Sequence, residues 1–170
     1  MNIWLTRLRK WAPKLLLEAG VFLLLLLALE AFLTRDAVSG KAPQFVAQTI
    51  QGQAFDMNSL QGKPALIHFW ATWCPVCRLE QGSIDALARD YPFVSVAMQS
   101  GKAAEVLSFL KEQGVDYPVV NDPDGVLSRR YGVSGVPATF VLNARGEVAF
   151  VTRGYTSGPG LRLRLWLADW

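Results

Sequence analysis

The sequence predicts an α/β (α+β) fold, a mixed central sheet flanked by helices, preceded by one transmembrane helix. Three observations carry this expectation. From residue 45 onward, short apolar runs of strand length alternate with amphipathic helical stretches. Near the end, Asn143-Ala144-Arg145-Gly146 separates two such runs and signals an antiparallel hairpin. Ahead of everything lies an almost unbroken apolar segment, Leu15 to Leu33.

That segment explains why 51% of the 170 residues are hydrophobic. It is broken only by Glu18, Gly20 and Glu30. As a helix it reaches about 28 Å, close to the roughly 30 Å thickness of a bilayer's hydrocarbon core. Arg7, Arg9, Lys10 and Lys14 precede it with no acid among them, which keeps the N-terminus cytoplasmic. Glu18 and Glu30 lie near its ends, where a charged head can snorkel to the interface. A cleaved signal peptide is the rival reading. Its apolar core is usually about 7–15 residues long, and Thr34, Arg35 and Asp36 come straight after Leu33 in place of a clean small-x-small cleavage site. The expected organisation is therefore a cytoplasmic basic N-terminus (1–14), a signal anchor (15–33), a linker (34–43) and a periplasmic domain (44–170). The location is the bacterial inner membrane, crossed once.

Within the domain, strand-like pieces at Phe45–Ile50 and Gln53–Asp56 flank the turn Gln51-Gly52, an N-terminal hairpin. Pro64–Trp70 is an apolar run suited to a strand buried on both faces. Arg78–Arg89 reads as a helix with Leu79, Ile84, Leu87 and Ala88 facing inward. Phe93–Met98 is a second buried strand, Ala103–Gln113 a helix ended by Gly114, and Tyr117–Val120 a short strand. Asp122-Pro123-Asp124-Gly125 turns into a small helix reaching Tyr131, and Ala138–Leu142 with Glu147–Val151 forms the hairpin. The tail, Leu161–Trp170, alternates Leu and Arg as a strand would, but Ser157-Gly158-Pro159 before it is a helix start, and a helix is expected. The order is β-β-β-α-β-α-β-α-β-β-α.

The chain has a pI near 9.0, yet residues 41–170 carry twelve Lys/Arg against eleven Asp/Glu. The basic balance belongs to the membrane flank, and no basic patch with interleaved aromatics remains for a nucleic acid.

Chemistry concentrates in Trp73-Cys74-Pro75-Val76-Cys77, which holds both cysteines of the chain. The pair follows a buried strand and opens a helix. A thiolate there faces unpaired backbone N–H groups and the positive end of the helix dipole, which lowers its pKa below about 8.5. Cys74, at the mouth, is the expected attacking thiol, and Cys77, one turn inside, the resolving thiol. Pro75 has no N–H, leaving the amides of Val76 and Cys77 as donors to Cys74. A structural zinc site needs four ligands, and two Cys with one His cannot supply them. A purely structural bridge closing so short a loop constrains little. No metal site or cofactor is expected.

Buried strand, Trp-Cys-x-x-Cys, helix, then Gly135-Val136-Pro137-Ala138-Thr139-Phe140 before a hairpin resembles the thioredoxin superfamily. The resemblance implies a cis Pro137 beside the Cys pair and Val136 pairing backbone-to-backbone with an extended substrate. Trp73 and Pro75, at the lip of the pair, join Val136 and Pro137 as the expected substrate-binding residues. The leading hairpin and the inserted β-α segment around 93–120 look like the TlpA/ResA/CcmG subgroup of membrane-tethered periplasmic proteins. More narrowly, IHFWATWCPVCRLEQ and YPVVNDPDG…YGVSGVPATFVLN resemble the oxidoreductases of copper-sensitivity-suppressor systems.

Two further residues are candidate catalytic groups. A Glu three residues after the second Cys lies near the attacking Cys in ResA-like proteins, so Glu80 either tunes thiol protonation or is a helix-surface residue. His68, the only histidine, stands where thioredoxins commonly hold a buried Asp. It is either a hydrogen-bonded core histidine or, titrating near its ordinary pKa of about 6.5, the proton acceptor for Cys77. The expected function is thiol–disulfide exchange with cysteine-containing periplasmic proteins. A transmembrane electron donor or acceptor completes the circuit, with the direction open and copper tolerance or cytochrome c maturation as the setting. The alternative is a Cu(I) carrier using the same two thiolates. A peroxidase is a weaker idea, since no Thr-x-x-Cys is present.

Overall fold

The computed structural model describes residues 37–170 throughout and, ahead of them, Lys14, residues 17–22, Leu24, Leu25 and Ala28. Residues 1–13 of the expected cytoplasmic N-terminus, much of the expected anchor and residues 34–36 of the expected linker lie outside the described residues. The chain divides into two units, Met1–Arg35 and Asp36–Trp170. In the first, the described residues are helical, with Leu17, Val21, Phe22, Leu24 and Leu25 exposed. Among the described residues no helix is long and apolar enough to cross a membrane.

The second unit is built on eight strands, four α-helices and one 3-10 helix (Met57–Leu60): β1 (Gly40–Lys41), β2 (Val46–Gln48), β3 (Ala54–Asp56), β4 (Ala65–Trp70), α1 (Pro75–Asp90), β5 (Phe93–Met98), α2 (Ala103–Gln113), β6 (Val119–Asp122), α3 (Val126–Arg130), β7 (Ala138–Leu142), β8 (Glu147–Arg153) and α4 (Gly158–Ala168). A six-stranded sheet runs in the order β1-β8-β7-β4-β5-β6, and β2 and β3 form a separate hairpin. β4, β5 and β6 are parallel, joined by helical crossovers, whereas β7 and β8 return antiparallel. The mixed sheet expected from the sequence is therefore present.

Every residue of β4 is buried, as a central strand covered on both faces requires. Its side chains alternate. Leu66 and Trp70 join Ile84 and Leu87 of α1, Val106 and Leu110 of α2, and Leu161 and Leu165 of α4 in one core layer. Ile67 and Phe69 join Val94, Val96, Phe140 and Tyr131 in the other. Burying each such side chain contributes about 1.5–3 kcal/mol. By the same alternation His68 points, with Leu66 and Trp70, to the α1 side of the sheet.

Three sequence expectations are corrected. β1 lies inside the stretch read as linker, pairing Gly40 with Val148 and Lys41 with Glu147. Two residues with no apolar pattern acquire strand geometry only from their partner. The strand expected at Tyr117–Val120 is Val119–Asp122, because Tyr117 is drawn into the core, 6.2 Å from the Trp70 ring and 5.6 Å from that of Phe93. Leu79 does not face inward but is 77% exposed. The helix begins at Pro75, and the inward face set by Cys77, Ile84 and Leu87 leaves Leu79 about 200° around the helix from Cys77.

Candidate active site

Cys74 ends the connection from β4 and caps α1. Its backbone is extended (φ −89°, ψ 109°), Pro75 starts the helix, and the Cys77 N–H donates to Cys74 Sγ at 3.1 Å. Pro75 suits this place because its fixed φ is helical and its missing N–H would have been unpaired anyway. Of the two amides expected to serve Cys74, that of Cys77 is the one placed on the sulfur. Cys74 and Cys77 are joined in a disulfide with Cα atoms 5.3 Å apart. Both are buried, at 3% and 1% exposure, so the sulfurs are approached through the lip rather than standing out from it.

The lip is apolar. Trp73 is 57% exposed, and its indole N–H donates to the Gln99 carbonyl at 3.0 Å. Pro75 and Val76 are exposed beside it. The turn before β7 approaches from the other side, with the Val136–Pro137 bond cis and the Val136 carbonyl oxygen 3.7 Å from Cys74 Sγ. Val136 is half-buried and Pro137 buried. Cys74, Cys77, Trp73, Pro75, Val136 and Pro137 are thus brought together.

Glu80 and His68 meet behind the disulfide. Glu80 is one turn beyond Cys77, and Glu80 and His68 are each 2% exposed. His68 Nε2 lies 3.7 Å from Glu80 Oε1. The Thr156 N–H, in the loop between β8 and α4, holds Glu80 Oε2 at 3.1 Å, while Oε1 has no hydrogen-bond partner. His68 Nδ1 is 2.9 Å from Thr139 Oγ1, a contact made possible by the β4–β7 register that sets His68 opposite Thr139. Burial pushes the Glu80 carboxyl up to about 7, a rise that the Thr156 amide partly offsets. Burial pushes the His68 imidazole down to about 3. The Thr139 contact and the burial fit the hydrogen-bonded core histidine, the first of the two readings of His68. With one ring nitrogen on Thr139 and the other turned to a carboxyl, a dry site favours the neutral ring. Glu80 is likewise no helix-surface residue.

Thr139 and Thr156 are the partners that the sequence reading missed. Thr139 sits in a strand that was legible, but its pairing with a residue 71 positions away was not. Thr156 acts through its backbone, which no side-chain pattern announces.

Residues 38–151 match the AhpC/TSA family. The chain belongs to this family. Within it, similarity runs to dithiol exchange proteins of the TlpA/ResA/CcmG type. A thioredoxin-like protein of Haemophilus influenzae is 39% identical over 140 residues, covering 81% of this chain and 83% of that protein. The thiol-disulfide oxidoreductase ResA of Bacillus subtilis is 32% identical over 157 residues, covering 83% and 86%. Among solved structures, a secreted Mycobacterium tuberculosis disulfide oxidoreductase described as homologous to E. coli DsbE is 32% identical with a TM-score of 0.63, covering 73% of this chain and 96% of that one. The chain is accordingly a thioredoxin-like disulfide oxidoreductase, and its disulfide-capable pair is Cys74 and Cys77.

Proposed function

We propose that this protein is tethered to the bacterial inner membrane and exchanges electrons with cysteine-containing proteins on the periplasmic side. The observation that carries the reading is the Cys74–Cys77 disulfide at the start of α1, with an amide N–H on Cys74 Sγ. On reduction, Cys74 inherits that donor and the helix dipole, which favour its thiolate. In the oxidising direction a substrate thiolate attacks Cys74 Sγ and forms a mixed disulfide, and the electron pair leaves on Cys77. A second thiolate of the substrate then attacks the substrate sulfur of the mixed disulfide, and Cys74 leaves as the thiolate. In the reducing direction the Cys74 thiolate attacks a substrate disulfide. Cys77 then loses its proton, attacks Cys74 and restores the internal disulfide.

Trp73, Pro75, Val136 and Pro137 form the surface against which the substrate's cysteine segment lies, with the backbone of Val136 free to pair with it. Glu80, one turn from Cys77 and half-protonated near neutrality, takes up the Cys77 proton and returns it. The basic flank and the Leu15–Leu33 run support the tether. The two segments that resemble oxidoreductases of copper-sensitivity-suppressor systems support copper tolerance as the setting, ahead of cytochrome c maturation. Tethering favours an electron donor or acceptor in the same membrane.

Trapping tests the assignment of the two thiols. In the full chain, Cys77→Ser accumulates mixed disulfides with protein substrates that reducing agent releases, and Cys74→Ser accumulates none. Equal trapping by both variants, or none by either, would remove the proposed order of attack.

A further inference from the structure

The Glu80 proton poses a hydrogen-bonding problem that the mechanism above leaves open. Oε1 is buried and unpartnered, and the group facing it is His68 Nε2 at 3.7 Å. A carboxylate at Oε1 needs a donor, whereas a protonated carboxyl needs an acceptor. A fixed donor or a fixed acceptor satisfies only one of these states, and leaving a buried polar atom unpaired costs about 1–3 kcal/mol.

We infer that His68 acts as a neutral, reversible hydrogen-bond partner of Glu80, exchanging ring tautomers so that the carboxyl is satisfied in both of its protonation states. With Glu80 ionised, Nε2 carries the ring proton and donates to Oε1, and Nδ1 accepts from the Thr139 hydroxyl. With Glu80 protonated, its O–H donates to bare Nε2, and Nδ1–H donates to Thr139 Oγ1. The hydroxyl suits both states because it can donate or accept. Glu80 gains one proton between the two states and His68 gains none, because only the nitrogen carrying the ring proton changes. His68 is therefore a positioning residue. This inference rests on Glu80 being the group that takes up the Cys77 proton.

The surroundings agree with a ring that stays neutral. Glu80 faces it from α1 and Thr139 from β7. Ser95, opposite it on β5, is already engaged, accepting from the Trp70 indole and donating to the Pro118 carbonyl. Farther along α1, Asp85 pairs with Arg89 and accepts the Asp116 N–H. Tyr117 is raised by burial first and then by the charges of Asp85 and Glu80, so its hydroxyl is un-ionised at neutral pH. The two cysteines, joined as a disulfide, do not titrate. Burial of the ring opposes its charging.

Because His68 is the only histidine in the chain, one experiment reads it without ambiguity. The oxidised full chain, labelled with 15N-histidine in detergent micelles, is followed by NMR from pH 5 to 9. Protonated and bare ring nitrogens resonate far apart. The expected result is that the two nitrogens exchange character as Glu80 titrates, near pH 7, with no imidazolium formed, and that Glu80→Gln abolishes the exchange. A single tautomer at every pH, an imidazolium forming between pH 5 and 7, or an exchange that persists in Glu80→Gln would overturn the inference. The pH–rate profile of disulfide exchange, measured in parallel, separates the two levels. If Glu80→Gln leaves that profile unmoved, the role given to Glu80 falls. If the profile moves but the imidazole does not follow, only the role of His68 falls.

Discussion

A carboxyl and an imidazole buried within 3.7 Å of each other respond to pH in opposite senses. Glu80 binds its proton more tightly folded than unfolded, rising from 4.5 to about 7. Its contribution to stability is therefore complete below pH 4.5 and lost as pH rises through 7. His68, lowered from 6.5 to about 3, contributes stability that is present above pH 6.5 and lost as pH falls towards 3. Glu80→Gln removes the first dependence. Between pH 4.5 and 8, urea denaturation should show the variant gaining on the wild type by up to about 3 kcal/mol; parallel curves would contradict the burial assigned to this carboxyl. Thr139→Val leaves a buried ring nitrogen without its partner and should cost about 1–3 kcal/mol in the same measurement. The identity of the cysteines was legible because strand, Trp-Cys-x-x-Cys and helix are contiguous. The pairing of His68 with Glu80 and Thr139 was not, because it depends on sheet register and on which face of α1 turns inward.

At the scale of elements, local signals served well where a residue type has one structural use. Ala103–Gln113 ends where Gly114 takes a left-handed φ of 67°, and Gly114→Ala should cost about 1 kcal/mol, although nothing crowds the site. The tail was ambiguous by periodicity. Its helix is decided by Ser157, whose hydroxyl accepts the Gly160 N–H, and by Pro159 in the first turn. Local signals failed where tertiary context decides. Leu79 is apolar and lies within the expected helix, but the start at Pro75 and the burial of Glu80, Gln81 and Asp85 rotate it outward. Leu79→Gln should therefore change domain stability by less than about 0.5 kcal/mol, while Leu87→Ala, in the core beneath the same helix, should cost about 2–5 kcal/mol. Thermal or urea unfolding of the pair distinguishes the two faces. β1 had no local signal, since Gly40 and Lys41 become a strand only by pairing with β8.

For the whole molecule, the sheet positions a strand end, a helix start and the turn before β7 around one disulfide, and the apolar N-terminal run is the proposed tether. The full chain should remain with the membrane pellet after alkaline carbonate extraction, with its domain open to protease from the periplasmic face only; release into the supernatant would remove the anchor from the account. The most direct test of the central claim is the reduction potential of the Cys74–Cys77 couple in the full chain, equilibrated with defined thiol–disulfide buffers. Cys74 and Cys77 should form one reversible two-electron couple between about −270 and −120 mV, the range spanned by thiol–disulfide oxidoreductases. A value below about −300 mV, where structural disulfides lie, would contradict it.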